Sequence, residues 1–210
     1  MIVSLGSTTP SNESIQSKGL IPAAVMASML LFAPAPTLAE ADTYSIDPEH
    51  FSISFEVMHL GYARVLGLFT DASGTFLYDE ASNELSSGTV TIQSKSVFSN
   101  HKERDNHLRS GDFLNARKYP EITFTMTNFE ATGDKGGKLT GDLTLLGKTH
   151  PVTLDLSFNK AADYPFGHGK YTLGISAQTS IQRSQWGINY GLDMVEDDVK
   201  LRFELEAIRD

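Results

Sequence analysis

From Tyr44 onward the chain alternates apolar and polar positions. Phe51, Ile53, Phe55 and Val57 alternate with Ser52, Ser54 and Glu56, which gives a strand with one apolar face. The pattern recurs in Val65 to Phe69, Thr75 to Tyr78 and Thr89 to Gln93, with turn signals at Asp71 to Gly74 and Asp79 to Asn83. It returns in Ile122, Phe124 and Met126, then on either side of two hairpin signals, Gly133 to Gly137 and Gly147 to Pro151. Val152, Leu154, Leu156 and Phe158 share a face, as do Tyr171, Leu173, Ile175 and Ala177. So do Val199, Leu201, Phe203 and Leu205 in the last strand. About eight strands joined by short turns, with no βαβ spacing, predict an all-β, antiparallel meander. Closure into a barrel removes its edges. A β-sandwich shares the alternation and is the structural alternative. A barrel of this size either fills its interior with side chains or holds a ligand.

One stretch breaks the period. Ser99 to Phe124 reads as a short helical insertion, with Asn100 as its cap, Glu103 three residues on, and Gly111 as its stop. Asp112 is placed to start a second short turn through Arg117, which Pro120 closes. Leu108, Phe113 and Leu114 are expected to face the barrel. Arg104, Asp105 and His107 form a dense polar cluster that suggests acid–base chemistry. Neighbouring positions on a helix point to different faces, however, so a structural role for Arg104 or Asp105, bonded to loop backbone, is favoured. No serine stands in a nucleophile-elbow sequence.

The six histidines contain no HExxH pair, so no metal site is predicted, and one would need partners distant in sequence. His59 continues the apolar face of Phe55 and Val57, which predicts a buried, satisfied histidine or, second, a polar contact to a ligand head group. Arg183, near the lone Trp186, is expected to stack or to pair with an acidic residue, while Trp186 either packs or lines a cavity.

The first 39 residues read differently. Lys18, the apolar run Leu20 to Phe32 and the small residues after it make a secretory signal peptide, cleaved near Ala39 or Ala41. An uncleaved anchor is the alternative, although the run is short for a membrane span. The fold is then one domain over 43–210. The 210-residue chain has a net charge of −9, which argues against nucleic-acid or anionic-membrane binding as its main role, and no stable membrane insertion of the mature chain is expected. It has no cysteine, which excludes disulfides and thiolate metal sites.

Several blocks together resemble the YceI-like lipid/polyisoprenoid-binding proteins. They are Ser54 to His59 with Gly67 to Phe69, Arg104 to Leu108 with Asp112-Phe113, Tyr119 to Phe124, Gly141 to Thr144 with Gly147 to Val152, and Arg183 to Ile188. The resemblance covers roughly Thr43 to the C-terminus. It implies an extended, lipocalin-like barrel with a long apolar pocket. It further implies binding of a polyisoprenoid or isoprenoid-quinone-like lipid, a periplasmic or extracellular location, and no catalytic activity or cofactor. Ala72 and Leu114 stand where the family commonly has aromatic residues, which alters the pocket shape. On the strand faces, the expected wall is Phe55, Val57, Phe69, Phe124, Leu143, Leu145, Leu154 and Trp186, with His59 near one end. Two other readings stay open: an enzyme acting on an isoprenoid or quinone through His107 or His59, and a filled barrel serving as a stress-related interaction protein. A homodimer is left open as well.

Overall fold

The computed structural model describes residues 41–210; the signal peptide expected over residues 1–39 lies outside them. The strands are β1 (Asp42–His59), β2 (Ala63–Phe69), β3 (Ala72–Asp79), β4 (Glu84–Gln93), β5 (Val97–Phe98), β6 (Glu121–Ala131), β7 (Gly136–Leu145), β8 (Lys148–Asp163), β9 (Tyr171–Gln182) and β10 (Asp198–Arg209). One helix, α1 (Lys102–Arg109), lies between β5 and β6. All pairings are antiparallel. They run in the order β10-β9-β8-β7-β6-β4-β3-β1, and β1 pairs back onto β10. Eight strands therefore form a closed ring, and the barrel, not the sandwich, is the architecture.

β2 and β5 lie outside the simple ring because β1 is long. Its first residues pair with β3 (Tyr44 with Phe76), while Ile53 to His59 pair with β2, which in turn carries β5. The 3-10 turn Ser94–Ser96, β5 and α1 then fold across the barrel end where β1 finishes, here termed the cap end. No described helix is long and apolar enough to cross a membrane.

The inward faces carry the alternation read from the sequence. Ile53, Ile92, Ile122, Leu143, Leu154, Leu156, Leu173 and Ile175 are buried together. Other inward residues, Phe55, Phe76, Val90, Phe124, Met126, Phe203 and Leu205 among them, pack against this core yet keep part of their surface uncovered. The interior is therefore not filled.

The helical insertion departs from the expected capping. His101, not Asn100, is the N-cap, and its ring Nδ1 accepts the Arg104 N–H at 3.3 Å. Asn100 instead takes a left-handed conformation (φ 60°) that turns the chain into the helix. The helix ends at Ser110, before Gly111. The segment after Asp112 forms hydrogen-bonded turns without a second helix, with Leu114 N–H donating to Leu108 O and Ala116 N–H to Arg109 O.

Candidate functional site

Two apolar chambers occupy the barrel. One, of about 140 Å³, lies under the cap end. Its lining includes Phe55, Val57, Phe69, Leu145 and Val199 from the strands, Leu108, Phe113 and Leu114 from the helical insertion, and Ile188 and Val195 from the connection between β9 and β10. The other, of about 100 Å³, lies deeper and is lined by Phe76, Val90, Phe124, Met126, Leu139, Leu154, Ile175 and Leu205 among others. Ile92, Ile122, Leu143, Leu201 and Phe203 line both and form the partition between them.

Two glycines make room for the aromatic walls. Gly67 stands opposite Phe55 in the β1–β2 ladder, and a Cβ placed on it would meet three ring carbons of Phe55 within 2.9 Å. Gly141 does the same for Phe124, with two ring carbons within 2.7 Å. Each ring thus lies across a strand backbone rather than standing into the chamber.

The polar cluster that suggested chemistry is spent on structure. Asp105 is buried, and its Oδ1 accepts the Ser99 N–H at 2.6 Å and the Ser99 hydroxyl at 2.5 Å. Burial alone would push its carboxyl up. The Ser99 hydroxyl and amide, helped by the Arg109 and Arg104 charges, outweigh it and hold the pKa below the ordinary carboxylate value. Arg104 Nε donates to Ser99 Oγ at 2.8 Å and Nη2 to Ser99 O at 2.5 Å. Arg109 anchors the other side of α1 to the Lys95 and Val97 carbonyls. His107 faces outward. It meets Asp112 at 2.9 Å and sits edge-on to both Phe113 and Tyr190 at 4.9 Å, so it clasps the insertion to the β9–β10 connection.

Arg183 neither stacks on Trp186 nor forms an ion pair within contact distance, contrary to expectation. Only 4% exposed, it donates to four backbone carbonyls: Glu196 O, Ile188 O, Tyr190 O and Val195 O at 2.7–3.0 Å. It shapes the loop that closes the first chamber, whose lining it joins. Burial lowers its pKa, partly offset by the Asp197 charge, yet a guanidinium stays charged in proteins.

Among the expected wall residues, Phe55, Val57, Phe69, Leu143 and Leu145 meet in the first chamber, and Phe124, Leu143 and Leu154 in the second. Two residues do not belong to either. Trp186 is 1% exposed, with its indole N–H donating to Leu143 O at 3.1 Å and His150 edge-on at 5.0 Å; it plugs the wall from behind. His59 is exposed at the rim, bridged to Val195, because β1 outruns the barrel before the alternation reaches it. The sequence reading missed the partition residues Ile92, Ile122, Leu201 and Phe203 as wall, although the alternation of β4, β6 and β10 carried the signal.

One further grouping appears among the described residues. β1 bulges between Ile46 and Phe51, so Asp47 to His50 stand opposite Glu206 alone. His50 Nδ1 meets Asp47 Oδ2 at 2.7 Å, Glu49 N–H donates to Asp47 Oδ1, and Glu206 Oε2 lies 3.9 Å from His50. The Asp47 hydrogen bond raises the His50 pKa. Ligand-type atoms of Asp47, His50 and Glu206 all fall within 4.8 Å of one another. This is the place where a small cation would find ligands; the His50–Asp47 pair satisfies Asp47, while Glu206 Oε2 has no hydrogen-bond partner among the described residues.

A family model described as the YceI-like domain matches residues 44–207. A UPF0312 protein of Shewanella baltica is 39% identical over 194 residues, covering 91% of this chain and 98% of that one. Protein YceI of Escherichia coli O157:H7 is 42% identical over 173 residues, 81% of this chain and 89% of its own. Among solved structures, the YCEI protein of Campylobacter jejuni superposes with a TM-score of 0.67 at 35% identity, covering 73% of this chain and 90% of that one. A domain from Saccharophagus degradans, described as polyisoprenoid binding and implicated in plant cell wall breakdown, shares the fold at 14% identity (TM-score 0.63; 80% and 98% covered).

Proposed function

Because the chain belongs to the YceI-like family, we propose that it is a secreted or periplasmic, non-enzymatic carrier that holds a polyisoprenoid or similar long-chain amphiphile inside its barrel. The observation that carries this reading is the unfilled interior, two adjoining apolar chambers that share one apolar partition. The ligand class follows the description of the Saccharophagus degradans domain. Burying a methylene-sized group is worth about 0.8 kcal/mol, so each isoprene unit contributes about 4 kcal/mol before ordering costs. A chain longer than one chamber must pass the partition of Ile92, Ile122, Leu143, Leu201 and Phe203, and it gains their contacts as it does so.

The placement of polar groups supports a carrier over an enzyme. Among the described residues, Arg183 is the one ionisable side chain lining either chamber, and its donors are committed to carbonyls. His59 is exposed and His107 faces outward, and neither lines a chamber. The test is organic extraction of the purified protein followed by mass spectrometry, with uptake of added isoprenoid alcohol or quinone in parallel. A stoichiometric long-chain lipid is expected. Reproducible absence of bound lipid together with no uptake overturns the reading.

A further inference from the structure

The cap end carries an apolar surface that the core does not need. The β1–β2 hairpin exposes Leu60 (52%) and Tyr62 (90%), and the adjoining β9–β10 connection exposes Tyr190, Leu192 and Met194 at 43–46%. The two segments are one unit: Leu60 N–H donates to Met194 O at 2.7 Å and Glu196 N–H to Met58 O at 3.1 Å. Leu60 holds this exposed position in the left-handed region (φ 51°), where glycine or asparagine is favoured and a bulky side chain is strained. Folding would be better served by another residue there.

Two observations indicate what the surface meets. First, it borders the first chamber. Val57 and Val195, which line that chamber, flank the hairpin tip and the loop, and Tyr190 packs on Phe113 of its lining. Second, charge is polarised along the barrel. Connections at the cap end (59–64, 94–120, 146–148 and 183–197) hold nine Lys and Arg against six Asp and Glu. The opposite end (42, 79–84, 130–136, 163–170 and 209–210) holds three against eight. The basic surplus of the cap end comes from Arg64, the 94–120 insertion and Lys148, while Asp193 stands between Leu192 and Met194 and Glu196 and Asp197 follow in the same loop.

We propose that the cap end docks reversibly on a lipid bilayer, with Leu60, Tyr62, Leu192 and Met194 seated at the headgroup–acyl boundary and the exposed Arg64, Lys95, Lys102, Arg117, Lys118 and Lys148 of that end drawn to anionic headgroups. Protruding apolar loop tips on the barrel end that carries the net basic charge suit a soft, anionic interface. Docking places the chamber against the phase in which a long apolar lipid resides, so the inference rests on the carrier reading above.

The test is flotation of the protein with phosphatidylcholine vesicles, with and without phosphatidylglycerol, beside the double variant Leu60→Asn/Tyr62→Ser. Asparagine suits the left-handed position, and Tyr62 is almost fully exposed, so the variant keeps its fold, as a melting curve checks. Docking predicts binding that rises with phosphatidylglycerol, weakens with salt, and falls about tenfold or more in the variant, with uptake of detergent-solubilised isoprenoid unchanged. If the unsubstituted protein ignores both vesicles while taking up isoprenoid, docking is overturned and the carrier reading stands. If it binds vesicles and takes up no isoprenoid, the carrier reading falls while docking stands. If the variant changes only a monomer–dimer equilibrium measured by light scattering, the surface joins two copies and the proposal is wrong.

Discussion

The Phe55 ring owes its position to the absence of a side chain at Gly67, so Gly67→Ala is a test of how the chamber is kept open. Three ring carbons lie within 2.9 Å of where the new methyl would stand. Ordinary carbon–carbon contact is about 3.5–4.0 Å, so the ring must retreat by roughly an ångström. Gly67 has ordinary backbone angles, which leaves the ring movement as the main cost. Overpacking a filled core costs about 1–3 kcal/mol. Here the ring has an open cavity of about 140 Å³ beside it, and swings into that space. We expect a loss near the lower bound, about 1 kcal/mol, or about 2–4 °C in Tm for a domain of this size. The larger effect should fall on lipid capacity, because the displaced ring occupies ligand volume. Isoprenoid uptake should drop severalfold, while His59→Ala, which alters an exposed rim residue, leaves it unchanged. The assay pairs thermal melting with titration of a fluorescent polyene alcohol. A Tm loss beyond about 10 °C with uptake intact would refute the reasoning, since the ring would then have had no room to move.

Two other substitutions probe the frame of the site. Arg183→Met leaves four carbonyls of the β9–β10 connection without their donor and should cost about 3 kcal/mol in urea unfolding; a loss under about 1 kcal/mol would show that water replaces the guanidinium. Asp105→Asn should destabilise the protein by about 1–3 kcal/mol at neutral pH through its weakened bonds to Ser99. Because the folded pKa of Asp105 is depressed, its contribution is present above the ordinary value of 3.8 and is lost as pH falls through the folded value. The Tm gap between variant and parent should therefore close in acid, and a gap constant across that range would contradict the assignment.

The strands were legible because burial on one face leaves a period of two, and that signal survives in every ring strand from Phe51 to Leu205. The chambers were half legible for the same reason: alternation tells which way Phe124 or Leu154 points but not whether its neighbours fill the space. His59 misled because alternation continues for one residue past the barrel rim, where inside no longer exists. Trp186 misled because an aromatic beside Gly187 suits a cavity mouth as well as a plug, and only its hydrogen bond to Leu143 O decides. The Arg183 cage was invisible, since its acceptors are backbone carbonyls with no side-chain signature. That Arg104 and Asp105 bond to loop backbone was legible from their places on different faces of the helix, but that the loop residue is Ser99 was not.

The ring closes by pairing its first strand with its last, Tyr44 opposite Arg209 and Phe55 opposite Leu201. That seam joins residues at the two ends of the folded chain, so it is the most non-local contact in the protein and is expected among the last to form. Until β10 arrives, the sheet is an open trough whose apolar lining is reachable along its length. On the carrier reading, a chain still folding takes a lipid sideways, through a slot as long as the barrel, whereas the finished ring offers only its ends. Timing of ligand capture relative to folding becomes a property of the topology. A protein refolded without lipid and one matured in its presence would then differ in content while sharing the same final structure.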